Sequence, residues 1–396
     1  MVKALYTSTF GCSAEEKLMY YNAVVFTCFS FLWLYCLQAD MLTVAQHVLS
    51  GGKTSYHPLL GAMFITVVLL LLQQVVSRIL RLRVARALTY FPSLLLLAML
   101  TSVGQNIDHR FTFGAWYWVA PLLLLVWAAA VWVARQLEPP RRRKVSQSLF
   151  APHVWKNLLL MSLMMMGVAA ASNTNAVFHY RVHAEKALTE GDFDEALRTG
   201  SRSLETDSSL TMVRMYALSR KGLLGERLFS YPVVSSSDVM LPTSGSMRLL
   251  LYPTDSLYRY LGAVPRRPMQ PMEYLNTILR SGQAKPAVAD YLLCGYLIDK
   301  DIDSFAREIS RFYKVNDSLP RHYREALVLY THQRCNPVLV YHDTVLDVDF
   351  DDMKKLEDTC EEASERKGKI LENYADSYWY YYFYVASDGA LSDSGR

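Results

Sequence analysis

Two neighbouring stretches decide the fold: "LLLMSLMMMGVAAAS" at residues 158–172 and "AEKALTEGDFDEALRTGSRSLETDSS" at residues 184–209. The first is apolar and carries no charge, as expected of a helix in a lipid bilayer. The second alternates small, aromatic and charged residues at helical spacing, as expected of paired helices in water. The chain therefore passes from lipid to water within a few residues.

Composition and charge divide the chain at the same place. Of its 396 residues, 52% are hydrophobic and 20% are charged. Residues 1–173 hold 14 basic and 5 acidic side chains, a net charge of +9, whereas residues 174–396 hold 27 and 32, a net charge of −5. The basic excess lies among apolar runs, where it orients helices in a membrane. No basic stripe follows, so we expect a lipid bilayer and no nucleic acid as partner.

Residues 1–173 are predicted to form a transmembrane domain of five helices, about 19–37, 58–76, 87–103, 115–134 and 155–172. In lipid, a helix satisfies its own backbone polar groups, so apolar runs of this length indicate spans. The run at 87–103 contains Pro92, and its alternative interpretation is a re-entrant or interfacial helix.

Two short basic loops predict the orientation of these spans. One loop follows the second run and contains Arg78, Arg81 and Arg86, and the other contains Arg141 and Lys144. Short loops rich in Lys and Arg stay in the cytoplasm. Both loops lie on one side only if 87–103 spans, which predicts a cytoplasmic N-terminus and an exoplasmic chain after residue 172.

The stretch 184–209 resembles a tetratricopeptide repeat, in which two antiparallel helices pack through small residues and an aromatic plug. Gly191 suits the tight turn between the helices, and acidic residues open the second helix. Gly200 and Ser203 depart from the family pattern. The matching positions are Ala184, Ala187, Gly191, Phe193, Ala196 and Leu204.

The predicted fold class is therefore all-α: a five-span bundle followed by an exoplasmic α-solenoid. The helical-repeat domain is expected over residues 174–390, with an irregular excursion at 232–272 and a short helix near 255–261. Neighbouring repeats bury each other's apolar faces, so degenerate repeats can still stack. Residues 391–396 are expected to be a disordered tail.

The whole chain resembles a family of uncharacterised bacterial multi-spanning membrane proteins with a tetratricopeptide-like tail. Three stretches carry this resemblance: "LYCLQADMLTVAQHVLSGG" (34–52), "ALSRKGLLGERLFSYP" (217–232) and "YADSYWYYYFYV" (374–385). The resemblance implies a membrane location and a helical tail. It implies no activity. In a Gram-negative cell the orientation predicted from the basic loops corresponds to inner-membrane spans and a periplasmic tail.

Asp40 is the candidate catalytic residue. It follows the first predicted span, and His47 or His57 stands nearby in the sequence. Membrane enzymes that transfer glycosyl or lipid groups use an acidic residue at such a place as a base or metal ligand. The alternative is a structural role at the N-terminus of an interfacial helix. Asp108 is the other acidic residue in the outer loops.

Other motifs predict no metal and no cofactor. The stretch 347–358 resembles a calcium-binding loop, but Asp352 stands where glycine is needed and Asp358 where glutamate is expected, which favours a helix. His179 and His183 share a helix face without an evident third ligand. A disulfide between Cys335 and Cys360 is left open. The aromatic run at 378–384 favours a wedge against the membrane, or else a platform for a glycan or peptide.

These observations favour a membrane protein that presents a helical-repeat domain to an unidentified protein partner or to another copy of itself. The alternative is a membrane-embedded glycosyl- or lipid-transferring enzyme that uses Asp40. A transporter ranks third, since no charged residue lies in the interior of the spans, whereas transport paths usually contain ionisable groups.

Overall fold

A computed structural model of the chain describes residues 14–82, 84–104, 107, 114–137, 152–242 and 249–385. Within these ranges the regular secondary structure is entirely helical. The chain divides into two compact units, Met1–His179 and Tyr180–Arg396, which we call the membrane unit and the helical unit.

Six α-helices belong to the described part of the membrane unit. Helix α1 continues into a π-helical turn at Trp33–Leu37, and α4 follows a 3₁₀ turn at Arg86–Tyr90. The helices are α1 (Ala14–Leu32), α2 (Ala39–Ser50), α3 (Pro58–Leu80), α4 (Phe91–Thr101), α5 (Trp116–Gln136) and α6 (Pro152–Ala171).

Four segments of this unit are long and apolar enough to cross a membrane: Tyr20–Leu37, Pro58–Leu80, Trp116–Gln136 and Val154–Ala171. Each corresponds to one of the predicted spans. The protein therefore has the helices of a membrane protein.

The remaining predicted span, 87–103, is not one continuous α-helix. Its α-helical part is Phe91–Thr101, with Pro92 at its first turn. Proline has no N–H group to continue a preceding helical ladder, so a new helix starts there and the residues before it form the 3₁₀ turn. Most of α4 is buried, and it packs against α3, α5 and α6.

The helical unit contains the remaining helices, and α7 includes the boundary between the units. They are α7 (Ala176–Glu190), α8 (Phe193–Arg198), α9 (Ser208–Arg220), α10 (Leu224–Arg227), α11 (Thr254–Leu261), α12 (Pro271–Arg280), α13 (Ala287–Ile298), α14 (Ile302–Phe312), α15 (Arg321–Gln333), α16 (Thr344–Asp358), α17 (Ala363–Tyr374) and α18 (Tyr378–Tyr384). Short 3₁₀ turns follow α10 and precede α11, at Leu228–Ser230 and Ser237–Met240. Helix α11 lies where the sequence predicts a short helix.

Neighbouring helices from α12 to α18 contact one another in chain order. Helix α9 is buried on every face from Ser209 to Ser219 and is therefore a central helix. Helix α15 is a second central helix of this unit, since α10, α14, α16 and α18 all pack against it.

The helix pair predicted at 184–209 is shorter than a tetratricopeptide repeat. Ala184, Ala187 and Ala196 are buried, and Asp192 caps α8 by accepting a hydrogen bond from the Glu195 N–H at 2.9 Å. Gly191 turns the chain with φ 79°, as expected.

The second helix of this pair ends early, at Arg198. Gly200 adopts φ 63°, and the Tyr180 ring lies 2.7 Å from where a Cβ atom would stand, so the chain leaves the helix there. Leu204 consequently lies outside α8 and is 73% exposed, contrary to a packing role. Phe193 is half-buried, with the Arg220 guanidinium 4.8 Å from the centre of its ring.

Candidate functional sites

Asp40 lies in the first turn of α2, a helix that buries Met41, Leu42 and Val44. His47 stands seven residues further along the same helix, a rise of about 10 Å, which is too far for a shared ligand. His57 caps α3 by accepting a hydrogen bond from the Leu60 N–H at 3.5 Å. Asp108 is outside the described residues.

No three His, Cys, Asp or Glu side chains of the described chain are grouped so that they could hold a metal ion. His179 Nε2 lies 3.1 Å from the Asn173 carbonyl oxygen, and His183 Nε2 lies 3.6 Å from Glu195 Oε1. The calcium-loop-like stretch 347–358 lies inside α16, where a helix replaces the loop that would wrap an ion.

One end of the membrane unit is basic. Arg135 of α5 donates a hydrogen bond to the Leu80 carbonyl oxygen at 3.3 Å, so the C-terminal ends of α3 and α5 meet. Asn157 of α6 accepts from the Ala87 N–H at 2.8 Å and donates to the Val84 carbonyl oxygen. The described basic side chains near this end are Arg78, Arg81, Arg86, Arg135 and Lys156.

The opposite end of the unit is held by neutral polar groups. Thr101 and Ser172 share a hydrogen bond of 2.6 Å, and the Asn173 amide donates to the Val103 carbonyl oxygen at 2.8 Å. Gln38, just past α1, donates to the Asn173 carbonyl oxygen at 3.3 Å. Helices α4 and α6 are therefore parallel, since both start at the basic end and both finish here.

All five cysteines that the structure describes carry free thiols. Cys335 is exposed and Cys360 is buried, so the pair considered from the sequence is not bonded in this structure. Cys294 is fully buried in α13, where burial raises the pKa of its thiol. Cys294 is therefore a core residue with a poorly reactive sulfur.

A buried polar cluster around Glu325 of α15 fixes the C-terminal helix. Its carboxylate accepts hydrogen bonds from Arg321 Nε at 2.7 Å and from the Tyr378 N–H at 2.7 Å. His322 Nδ1 lies 2.9 Å from the same carboxylate, and its Nε2 accepts from the Phe229 N–H at 3.3 Å. His322 and Glu325 are 0% and 1% exposed, so these two side chains are closed to solvent and have a structural role, whereas Arg321 is 36% exposed.

This cluster corrects the expectation for the aromatic run. Tyr378, Trp379 and Tyr381 are buried within the helical unit, and the Trp379 indole donates to the Glu325 carbonyl oxygen at 2.8 Å. Three of the seven residues of the run are therefore core. The remaining rings are partly exposed, and the Lys354 ammonium lies 3.7 Å from the centre of the Phe383 ring.

The most conspicuous surface feature of the helical unit is an exposed aliphatic face next to α16. Val338 and Val340 are 77% and 59% exposed, and Val345 and Val348 are 65% and 56% exposed. We call these four residues the valine face. Val345 and Val348 are three residues apart on α16 and so share one side of that helix.

The segment carrying the first two valines is held in place. The Val338 N–H donates to the Tyr330 hydroxyl at 3.1 Å, and the Tyr341 N–H donates to the Thr331 hydroxyl at 3.2 Å. Asp343 caps α16 by accepting from the Val345 and Leu346 N–H groups. The valine face is thus presented on a fixed backbone.

The surroundings of the valine face are acidic. Helix α16 carries six acidic and two basic residues. Asp349 lies next to Val348 on the same side, is exposed, and makes no ion pair within the described chain. Sequence reasoning missed this face, although the spacing of Val345 and Val348 on an acidic helix could have revealed it.

Comparison with known proteins finds one similarity, and it includes this region. Residues 266–385 match the model of a family of unknown function, DUF6057. No curated protein and no solved structure matches the chain. The matched stretch covers α12 to α18, so the Glu325 cluster, the aromatic helix and the valine face all lie in the part of the chain that is similar to this family.

Proposed function

We propose that the chain is a five-span membrane protein whose exoplasmic helical unit binds a protein partner through the valine face. The valine face is the observation that carries this proposal. Isolated exposed apolar residues are normal, but here four valines, each more than half exposed, lie within eleven residues of sequence. Exposed apolar patches mark interaction sites. The contacts in chain order from α12 to α18 support a solenoid-like stacking beneath it.

The orientation follows from the two ends of the membrane unit. Five described basic side chains gather at one end, and positively charged ends face the cytoplasm. Helix α6 starts at that end and finishes at the other, so the chain after Ala171 emerges on the exoplasmic side. Asn173 and the helical unit follow directly.

The geometry of α4 supports the fifth crossing. Its parallel alignment with α6 carries the chain from the basic end to the opposite end. An α-helix rises about 1.5 Å per residue and a 3₁₀ turn about 2 Å, so Arg86–Thr101 extends about 26 Å. This approaches the hydrocarbon thickness of about 30 Å. Helix α4 is short because it is enclosed by its neighbours.

We assign a basic amphipathic segment as the occupant of the valine face. Its apolar side chains would cover the valines, and its Lys or Arg side chains would meet Asp349 and the other carboxylates of α16. Such charge complementarity selects the partner and accelerates association, and salt weakens it.

Photo-cross-linking in native membranes tests the proposal. The photoreactive residue p-benzoylphenylalanine replaces Val345 or Val348 in the full chain, and the same replacement at exposed Glu372 of α17 is the matched control. We expect discrete adducts from the two valine positions only. The cross-linked peptide should contain Lys or Arg among apolar residues, and the yield should fall as salt is raised.

Three results would contradict this assignment. Equal adducts at Glu372 would show non-specific contact. Intact protein without adducts at either valine would show that the face has no occupant. An adduct of twice the chain's 45.2 kDa would show a second copy in place of a basic partner.

A further inference from the structure

Buried polar atoms without a hydrogen-bond partner are concentrated in one part of the membrane unit. Within the described chain, six such side chains belong to α1, its π turn, the start of α2 and the region around α3. They are Asn22, Ser30, Trp33, Gln38, Tyr56 and Thr66. In hydrocarbon, each unsatisfied polar group costs several kcal/mol, on the order of a lost hydrogen bond or more. A hydrogen-bonding partner for these atoms would therefore stabilise this part of the membrane unit.

Most of them lie in the outer half of the interface between α1 and α3. Ser30 stands eight residues before Gln38, and Thr66 stands eight residues after Pro58, so each hydroxyl lies about 12 Å below the exoplasmic end. Helices α1 and α3 pack against each other, and the π turn also contacts α3. Ser30 is 0% and Thr66 is 4% exposed.

The π turn at Trp33–Leu37 is a second, independent feature of this interface. One-turn π-helices are rare and occur frequently at functional sites, because the wider turn redirects side chains. Here it separates buried Leu34 from buried Gln38 at the mouth of the interface. Tyr56 lies at the same mouth, with its ring against the backbone of Gly61.

The inner half of the interface is closed by apolar side chains. Phe26, one turn below Ser30, meets the ring of Tyr90 with a centroid separation of 5.0 Å. Phe26, Leu69 and Tyr90 are all fully or almost fully buried. Asn22 lies beyond this plug. In the orientation proposed above, on which this inference rests, a ligand would therefore reach Ser30 and Thr66 from the exoplasmic end.

We propose that the outer half of the α1–α3 interface is an outward-facing binding site for a neutral hydroxyl-bearing ligand. The unpartnered groups comprise hydroxyls, one indole N–H donor and one amide oxygen acceptor. The described part of this interface between Phe26 and Gln38 and between Pro58 and Gln73 carries no charged side chain. The chemistry therefore suits water or a sugar-like headgroup and does not suit an ion.

Cysteine accessibility tests the site in the full chain reconstituted in phosphatidylcholine vesicles. In a background without other cysteines, Ser30→Cys and Thr66→Cys are treated from outside with aminoethyl methanethiosulfonate. The matched control keeps only the native Cys28, which lies on α1 two residues from Ser30 and is exposed on the outer surface of the helix. A thiol surrounded by hydrocarbon does not ionise and does not react.

We expect both engineered thiols to react at least tenfold faster than Cys28. Vesicles that contain digalactosyl diacylglycerol distinguish a bound sugar headgroup from bound water. Slower labelling in these vesicles assigns the site to a sugar headgroup, and unchanged labelling assigns it to water. Labelling no faster than that of Cys28 in either lipid would overturn the proposal.

A thermal measurement covers the case in which the cysteine variants do not fold. Thr66→Val removes the hydroxyl and keeps the shape. If a ligand pairs with this hydroxyl, the substitution should lower the Tm of the reconstituted protein. A Tm that is unchanged or raised would show a dry interface, since replacing an unpaired buried polar group by an apolar one is neutral or stabilising.

Discussion

Glu325 is the residue on which the C-terminal part of the helical unit depends most. It joins α15 to α18 through its carboxylate, and Arg321 extends the connection to Asp376 by a 2.8 Å ion pair. The spacing of Arg321, His322 and Glu325 on one helix was visible in the sequence. The tertiary partners of His322 and Glu325 could not be predicted from this spacing, because Phe229 and Tyr378 lie far away in the chain.

We predict that Glu325→Gln strongly destabilises the protein. The change removes the carboxylate that accepts from Arg321 and the Tyr378 N–H. Arg321 is 36% exposed and keeps Asp376 as a partner, so the main cost is the loss of buried hydrogen bonds, about 1–3 kcal/mol. The Tm of the purified full chain in detergent measures the effect. Glu372→Gln on exposed α17 is the control and should change stability by less than about 0.5 kcal/mol. Similar Tm values for the two variants would show that the cluster is dispensable.

Glu185 gives the helical unit a pH dependence. Its carboxylate accepts hydrogen bonds from Arg181 Nε at 3.0 Å and from the Leu251 and Leu250 N–H groups at 2.8 and 2.6 Å. Full burial nevertheless raises its pKa above the ordinary value of 4.5, and the charge of Arg181 offsets only part of this. The folded protein therefore binds this proton more tightly than the unfolded chain does.

The sign of the pH effect follows from linkage. The contribution of Glu185 to stability is fully present below pH 4.5 and is lost as the pH rises through the raised pKa of the folded state. A Glu185→Gln variant has no titratable group at this position and therefore lacks this pH dependence of stability. The Tm difference, wild type minus variant, should therefore decrease as the pH is raised from about 4 to 8. A difference that grows over this range would contradict the raised pKa.

At the scale of helices, the sequence predicted the membrane segments better than the repeat. In lipid, a long apolar run can satisfy its backbone polar groups by forming a helix. Four of the predicted spans are accordingly helices that are long and apolar enough to cross a membrane. The helical pair at 184–209 did not extend to Leu204, since Gly200 and the Tyr180 ring end α8 early. The valine face and the Glu325 cluster depend on packing between distant helices, which periodicity alone does not report.

Helix α4 begins after a 3₁₀ turn, and Asn157 of α6 supplies hydrogen-bond partners for the segment around that turn. We predict that Asn157→Leu lowers the Tm of the protein in detergent by leaving the Ala87 N–H and the Val84 carbonyl oxygen unsatisfied. Each orphaned group costs about 1–3 kcal/mol. The neighbouring change Lys156→Gln, at an exposed position, should have a small effect. An Asn157→Leu variant as stable as Lys156→Gln would show that α6 does not support this turn.

At the scale of the whole molecule, charge and helix direction agree. The described basic side chains at the basic end of the membrane unit flank two loops, and the proposed odd number of crossings would carry the chain away from that end. In the proposed orientation the acidic helical unit, with a net charge of −5 over residues 174–396, follows on the exoplasmic side. The partner-binding proposal depends on this orientation, because it determines which proteins can reach the valine face.

Alkaline-phosphatase fusions measure this orientation most directly, because the enzyme is active only outside the cytoplasm. We predict active fusions after Gln105 and Thr174, and inactive fusions after Arg86 and Lys144. The Arg86 and Gln105 pair tests whether α4 crosses the membrane, and Thr174 tests the location of the helical unit. An inactive Thr174 fusion, at a protein level equal to that of the Gln105 fusion, would contradict the exoplasmic placement and with it the proposed function.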